Sequence, residues 1–93
     1  MSYLNFTAVD IQTALDAIAV AIKHLPEENP LLIDRFNGLA RRLISHQLYF
    51  SSGELRNICI GLELLLKDSP MNWNASRLLA YLSPICNYTN QDF

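Results

Sequence analysis

Four side chains in this sequence have the softness to ligate a transition metal: His24, His46, Cys59 and Cys86. No two of them stand three or four residues apart, or at the short loop spacing that lets one segment chelate an ion, so the expectation is no metal site and no cofactor. Nucleophilic catalysis needs a nucleophile, a base and an orienting acid brought together. No GxSxG, HExxH or CxxC pattern and no glycine-rich phosphate loop occurs. Gly38, Gly53 and Gly61 lie far apart; Gly53 suits a turn and Gly61 a close contact between helices. Glu27 and Glu28 adjoin each other between two prolines, as solvated loop carboxylates do. Asp10 and Asp16 fall on a helical stretch, where Asp10 complements the positive end of the helix dipole. None of this forms an acid–base pair in unlike environments, so the chain reads as a non-enzyme.

The basic residues carry more pattern. Arg35, Arg42 and His46 follow one another at spacings of seven and four, on one helical face, with Arg41 beside them and Tyr49 and Phe50 just after. A cationic face ending in aromatics is one way to hold nucleic acid or an acidic partner. It is also what the solvated side of an amphipathic helix looks like, and arginines near a helix C-terminus complement the dipole there.

Four helical segments would position these groups. Thr7 and Asp10 have capping-box spacing ahead of Ile11, Leu15, Ile18, Ile22 and Leu25, which predicts a helix over 7–25 that ends before Pro26. Asn29-Pro30 places a cap before a proline at the first helical position, and Leu32, Phe36, Leu39 and Leu43 extend a second helix over 30–46. Ser51 and Glu54 repeat the capping-box spacing for a third helix, 53–68, bounded by Ser69-Pro70. Asn72 or Asn74 caps a shorter fourth, 75–86, which Pro84 ends or kinks. Residues 87–93 read as a polar, frayed tail. No stretch alternates apolar and polar residues over more than a few positions, so no strand is expected. The fold class that follows is all-α: one compact domain over 1–93, a four-helix bundle-like arrangement of two helical hairpins with a short C-terminal tail.

Shifting the chain by forty residues superposes Leu15 on Leu55, Ile18 on Ile58, Val20 on Ile60, Ile22 on Leu62 and Leu25 on Leu65, an internal echo consistent with two similar hairpins. Ala14, Ile18, Ala21 and Pro26 have a spacing similar to the second helix of the tetratricopeptide repeats. That resemblance covers about thirteen residues and is lost in the next segment, where Gly38 is misplaced. Three stacked repeats would not fit, so the family is not adopted. A DNA-reading helix-turn-helix is disfavoured as well, because about six residues including Pro70 separate the third and fourth helices where a turn of ~3–4 is needed.

The most informative feature is apolar excess. Between positions 11 and 22 only Asp16 is charged, and between 58 and 66 only Glu63. Ala17, Val20 and Ala21 stand opposite the first helix's stripe; Cys59, Ile60 and Leu64 spread the third helix's hydrophobicity around most of its circumference. Helices apolar all round are buried all round, so either one helix is central or apolar surface is left for a partner. A central helix is unusual in so small a domain, which points to a partner surface at Ile60, Leu64 and Val20. Helix four folding back over that face would instead bury Trp73.

Ninety-three residues, 51% hydrophobic and 17% charged with few glycines and prolines, exclude two domains and exclude disorder. A net charge of −2 leaves no polybasic excess for a phosphate backbone. Two cysteines are too few to staple a secreted scaffold and read as reduced thiols. The first residues lack the charged start of a signal peptide, no run approaches the ~20 apolar residues of a membrane span, and three Asn-x-Ser/Thr triplets (at Asn5, Asn74 and Asn87) have no secretory context. The expectation is a cytoplasmic, non-enzymatic regulator, inhibitor or adaptor. It would act through an apolar helix surface, self-associating as a homodimer or docking another protein, without membrane contact. The alternative is a nucleic-acid-associated regulator using the basic face of the second helix, Arg35, Arg41, Arg42 and His46, with Tyr49 next to it.

Overall fold

The computed structural model describes residues 2–25 and 30–88. Four helices carry the fold: α1 (Ala8–His24), α2 (Pro30–Ile44), α3 (Ser52–Asp68) and α4 (Trp73–Ile85). The architecture is a compact all-α four-helix globule. The expected cap at Asn29, the loop at Glu27-Glu28 and the tail beyond Tyr88 lie outside the described residues.

Local chemistry sets the helix starts. The Thr7 hydroxyl accepts from the Asp10 N–H at 3.2 Å while the Asp10 carboxylate accepts from the Thr7 N–H at 3.0 Å, and Ser51 and Glu54 make the same reciprocal pair at 3.2 and 2.8 Å. Each box satisfies donors that a helix N-terminus otherwise leaves orphaned. The free Asp10 oxygen accepts from Arg77 of α4 at 3.1 Å, so one carboxylate caps α1 and ties it to α4. Thr7→Ala should cost about 1 kcal/mol, read as a thermal midpoint lower by roughly 4–8 °C.

Asn72, rather than Asn74, caps α4 by accepting from the Ala75 N–H at 3.1 Å. Helix α2 ends two residues earlier than its apolar spacing suggests. His46 adopts φ 58°, and the Gln47 and His46 N–H groups donate to the Arg42 and Leu43 carbonyls at 2.8 and 3.1 Å. That is the Schellman closure. His46 therefore stands two positions past the helix and closes its end, and does not extend the cationic face. Asn87 closes α4 in the same way, at φ 52° with the Tyr88 N–H donating to the Ser83 carbonyl at 2.9 Å, so the chain at 87–88 is a built cap and not a frayed tail.

Beside the helices is one short pairing the sequence did not foretell: β1 (Ser2–Tyr3) runs antiparallel to β2 (Tyr49–Phe50), with Ser2 opposite Phe50. Two residues are too few to display a period of two. What the pairing achieves is burial of Leu4, Leu48 and Phe50 under the helices. Phe50 is thus core, not an exposed aromatic at the end of a basic face.

Helix α3 is the central element, against expectation for so small a domain. It packs on α1 along one side and on α4 along another, burying Leu55, Ile58, Cys59, Leu62, Glu63 and Leu65. At the crossing with α1, a Cβ on Gly61 would lie 2.6 Å from the Ala17 carbonyl oxygen, so the helices approach to backbone contact. Gly53 has open space around it and lies in the first turn of α3. The forty-residue echo is not the structural equivalence. The caps Thr7 and Ser51 stand forty-four apart, and that shift maps the buried Ile11, Ala14, Ala17, Ile18 and Ala21 onto Leu55, Ile58, Gly61, Leu62 and Leu65. For the second helix of each hairpin the shift is thirty-nine: Phe36, Leu39 and Leu43 map onto Ala75, Leu78 and Leu82. Unequal connections leave forty between the two.

Helix four reaches α3 through Ala75, Leu78 and Leu82 and leaves Trp73 79% exposed at its first residue. Its emission should be that of solvated indole and shift little on unfolding; a blue-shifted native spectrum would contradict this placement. Among the described residues no helix is long and apolar enough to cross a membrane.

Candidate functional site

Helix α2 packs on α1 and stands off from α3. The separation opens a trough whose α2 wall carries Leu32, Arg35, Phe36, Leu39 and Arg42, and whose α3 wall carries Glu54, Asn57, Ile60 and Leu64. Both sets recur at spacings of three and four, one face of each helix. Asn57 marks the middle and lines both halves.

The apolar half encloses about 150 Å³ between Leu32 and Phe36 on one side and Ile60 and Leu64 on the other, with Ala21 and His24 of α1 and the following Leu25 completing its lining. Leu64 is half-buried against the core and Ile60, one turn before it, is half-buried, so both present apolar surface to the trough. Val20, the third apolar residue singled out in the sequence, is also half-buried against the core but does not line the trough.

The polar half encloses about 580 Å³ and is lined by Arg35, Arg42, Ser51 and Glu54, with Gly38 and Gly53 keeping its walls low. Arg42 is held there from three sides. It forms an ion pair with Glu54, its guanidinium lies 4.8 Å from the centre of the Phe50 ring, and its Nη1 donates to the Tyr49 carbonyl at 3.4 Å. One arginine thus ties α2, β2 and the start of α3 together, and much of its charge is answered by Glu54. Arg35 is exposed, with no ion pair among the described residues. Tyr49 is half exposed outside the trough, and His46 stands at the end of α2.

The structure therefore joins two groups that the sequence presents as separate readings: Arg35 and Arg42 at one end, Ile60 and Leu64 at the other. Asn57, Leu32 and Phe36 complete the walls. Ile60 and Leu64 stood out as apolar surface on the third helix, but nothing in the sequence says that α2 leans on α1 and leaves that face open.

Among the described residues the trough assembles shape, apolar surface and one ion pair, with a second cation, Arg35, beside it. Among the described residues no group of three or more His, Cys, Asp or Glu side chains could hold a metal ion. The perturbed titrating groups lie elsewhere, between α3 and α4. Burial pushes the Cys59 thiol well above its usual range, reinforced by Cys86 and Glu63, and burial followed by Glu63 pushes up the Tyr88 phenol. Both native groups keep their protons where the unfolded chain, with thiol and phenol near ~8.5 and ~10, releases them. Stability present below about pH 8.5 should be lost progressively as pH rises above it, a trend that thermal melts between pH 7 and 11 would read.

Comparison of the chain with protein-family models, with curated proteins and with solved structures finds no match.

Proposed function

We propose that this chain is a non-enzymatic protein-interaction module, a regulator, inhibitor or adaptor in the cytoplasm, and that it binds through the trough between α2 and α3. The observation that carries the reading is the apolar half of that trough, where Leu32, Phe36, Ile60 and Leu64 line one cavity with Phe36 in the core and Leu32 and Leu64 packed against it, and no element of the described chain is laid across them. A groove between two helices takes the apolar face of a third, and Arg35 at the polar end would select a partner segment with an acid at one end. A second copy of the chain is the first partner to test, since every molecule carries both the trough and exposed apolar side chains such as Leu31 and Ile44 of α2.

The second reading is a nucleic-acid-associated regulator, favoured by Arg35 and Arg42 lining one cleft. Glu54 in the same cleft opposes it by repelling phosphate. Salt separates the two. Binding to phosphates weakens with a log–log slope of about −0.9 per contact, whereas association through the apolar half should change little between 50 and 200 mM salt. Titration of labelled duplex and single-stranded nucleic acid over that range should give no steep salt dependence. A steep slope that vanishes in an Arg35→Ala, Arg42→Ala double variant would instead establish the second reading.

A further inference from the structure

Between α3 and the last turn of α4 the chain buries a polar cluster that the trough does not use. Cys59, in mid-α3, and Cys86, at the C-cap of α4, are free thiols, both fully buried, with their Sγ atoms 3.9 Å apart. Glu63 follows Cys59 by one helical turn, on the same face of α3. It too is buried, and its Oε1 has no hydrogen-bond partner among the described residues; neither has the Tyr88 hydroxyl. A buried carboxylate oxygen without a donor beside two touching thiols is an unused proton acceptor placed where a proton would have to leave.

The closed cluster protects itself, because the thiolate is the nucleophile and burial keeps the Cys59 thiol protonated. Among the described residues, the turn Cys86–Tyr88 closes the chain beside Cys86, held by the bond from Tyr88 to the Ser83 carbonyl and by Arg56 Nε donating to the Cys86 carbonyl at 3.0 Å. Pro84 inside the last turn withholds one helical hydrogen bond. Helix ends of this kind open locally at far lower cost than the core.

We propose that Cys59 and Cys86 form a redox modification site: when the Cys86–Tyr88 turn opens to a peroxide, the two thiols close into an intramolecular disulfide that fastens the end of α4 to α3. Cys86 is uncovered first. Its thiolate attacks one peroxide oxygen, the O–O bond breaks, and the sulfur keeps OH as a sulfenic acid while the departing hydroxide takes the thiol proton and leaves as water. Cys59 then attacks the Cys86 sulfur. The S–O bond breaks, and its hydroxide leaves as a second water with the Cys59 proton, which passes through the Glu63 carboxylate. Two thiols and hydrogen peroxide become one disulfide and two waters, the sulfurs giving up two electrons. The Sγ atoms must close from 3.9 Å to about 2.05 Å, a movement on the scale of side-chain rotation.

The test treats the folded, full-length chain with hydrogen peroxide in native buffer, blocks remaining thiols by alkylation, and digests with trypsin without reductant. Cleavage after Arg56, Lys67 and Arg77 separates the cysteines, so the expected product is peptide 57–67 linked to peptide 78–93. The intact chain should have lost two hydrogen masses and remain monomer-sized on denaturing gels. Dithiothreitol should reverse the change, and the thermal midpoint of the oxidised chain should be higher by roughly 10 °C, because the cross-link closes a long loop in the unfolded state. Recovery of both thiols in alkylated form would overturn the proposal. So would sulfonic acid at one cysteine with no linkage, linkage between chains, or a linked peptide that forms only in denaturant.

Discussion

Gly61→Val should unfold most of the chain at room temperature, or lower its stability by about 3 kcal/mol or more, read by chemical denaturation against the wild type. A Cβ at this position lies 2.6 Å from the Ala17 carbonyl oxygen and 3.3 Å from the Ala17 Cβ. The first contact is with backbone, which cannot rotate aside, so α1 has to move off α3 along the most extensive interface in the fold. Overpacking a core typically costs ~1–3 kcal/mol, and a branched side chain against backbone belongs at the upper end. Domains of this size hold only about 5–8 kcal/mol in total. Gly61→Ala sets the scale. Alanine gains about 1 kcal/mol of helix propensity over glycine, so any net loss understates the clash by that amount. A Gly61→Ala chain more stable than wild type would show that the helices do not approach as closely as described.

Phe50→Ala should cost about 3–5 kcal/mol, the range for truncating a fully buried aromatic. Phe50 is 0% exposed in a segment without helix, so the cavity opens where β2 alone holds the chain. The change also removes the ring beneath the Arg42 guanidinium. The polar end of the trough should loosen with it, and Arg42→Ala in a Phe50→Ala background should cost less than Arg42→Ala alone. Equal costs in the two backgrounds would mean that the ring does not position the arginine.

Phe50 also shows where sequence pattern stops being informative. Helix starts were legible because a capping box is local: Thr7 with Asp10 and Ser51 with Glu54 contain their own explanation within four residues. The close approach at Gly61 was legible too, since a glycine amid a long apolar run has few other uses. The role of His46 was hidden, because a left-handed closing residue is normally read from glycine or asparagine. Helix α2 therefore looked two residues longer and its cationic face one residue wider. Leu4, Leu48 and Phe50 were hidden for a different reason: β1 and β2 pair over two residues across most of the N-terminal half of the chain, and only tertiary contact reveals it.

The candidate site was half legible in the same sense. Arg35 with Arg42, and Ile60 with Leu64, each stand out by spacing. That they face one trough depends on α2 choosing α1 as its support, which is decided by the fit of Phe36, Leu39 and Leu43 into the core and leaves no mark in local sequence. The apolar circumference of α3 likewise has two causes that sequence alone cannot apportion. Most of it is contact with α1 and α4, and the remainder, Ile60 and Leu64, is the wall of the trough.

Sedimentation equilibrium of the wild type beside Ile60→Glu and Leu64→Glu, each with a circular dichroism spectrum, tests the trough as an interface most directly. The expected result is a wild type that dimerises as concentration rises through the micromolar range. Both variants should remain monomeric at the same concentrations with undiminished helical signal, because each glutamate points into an open groove and stays hydrated. A wild type that sediments as a monomer at high micromolar concentration would contradict self-association through the trough, and variants that lose their helical signal would show that Ile60 and Leu64 serve the core instead.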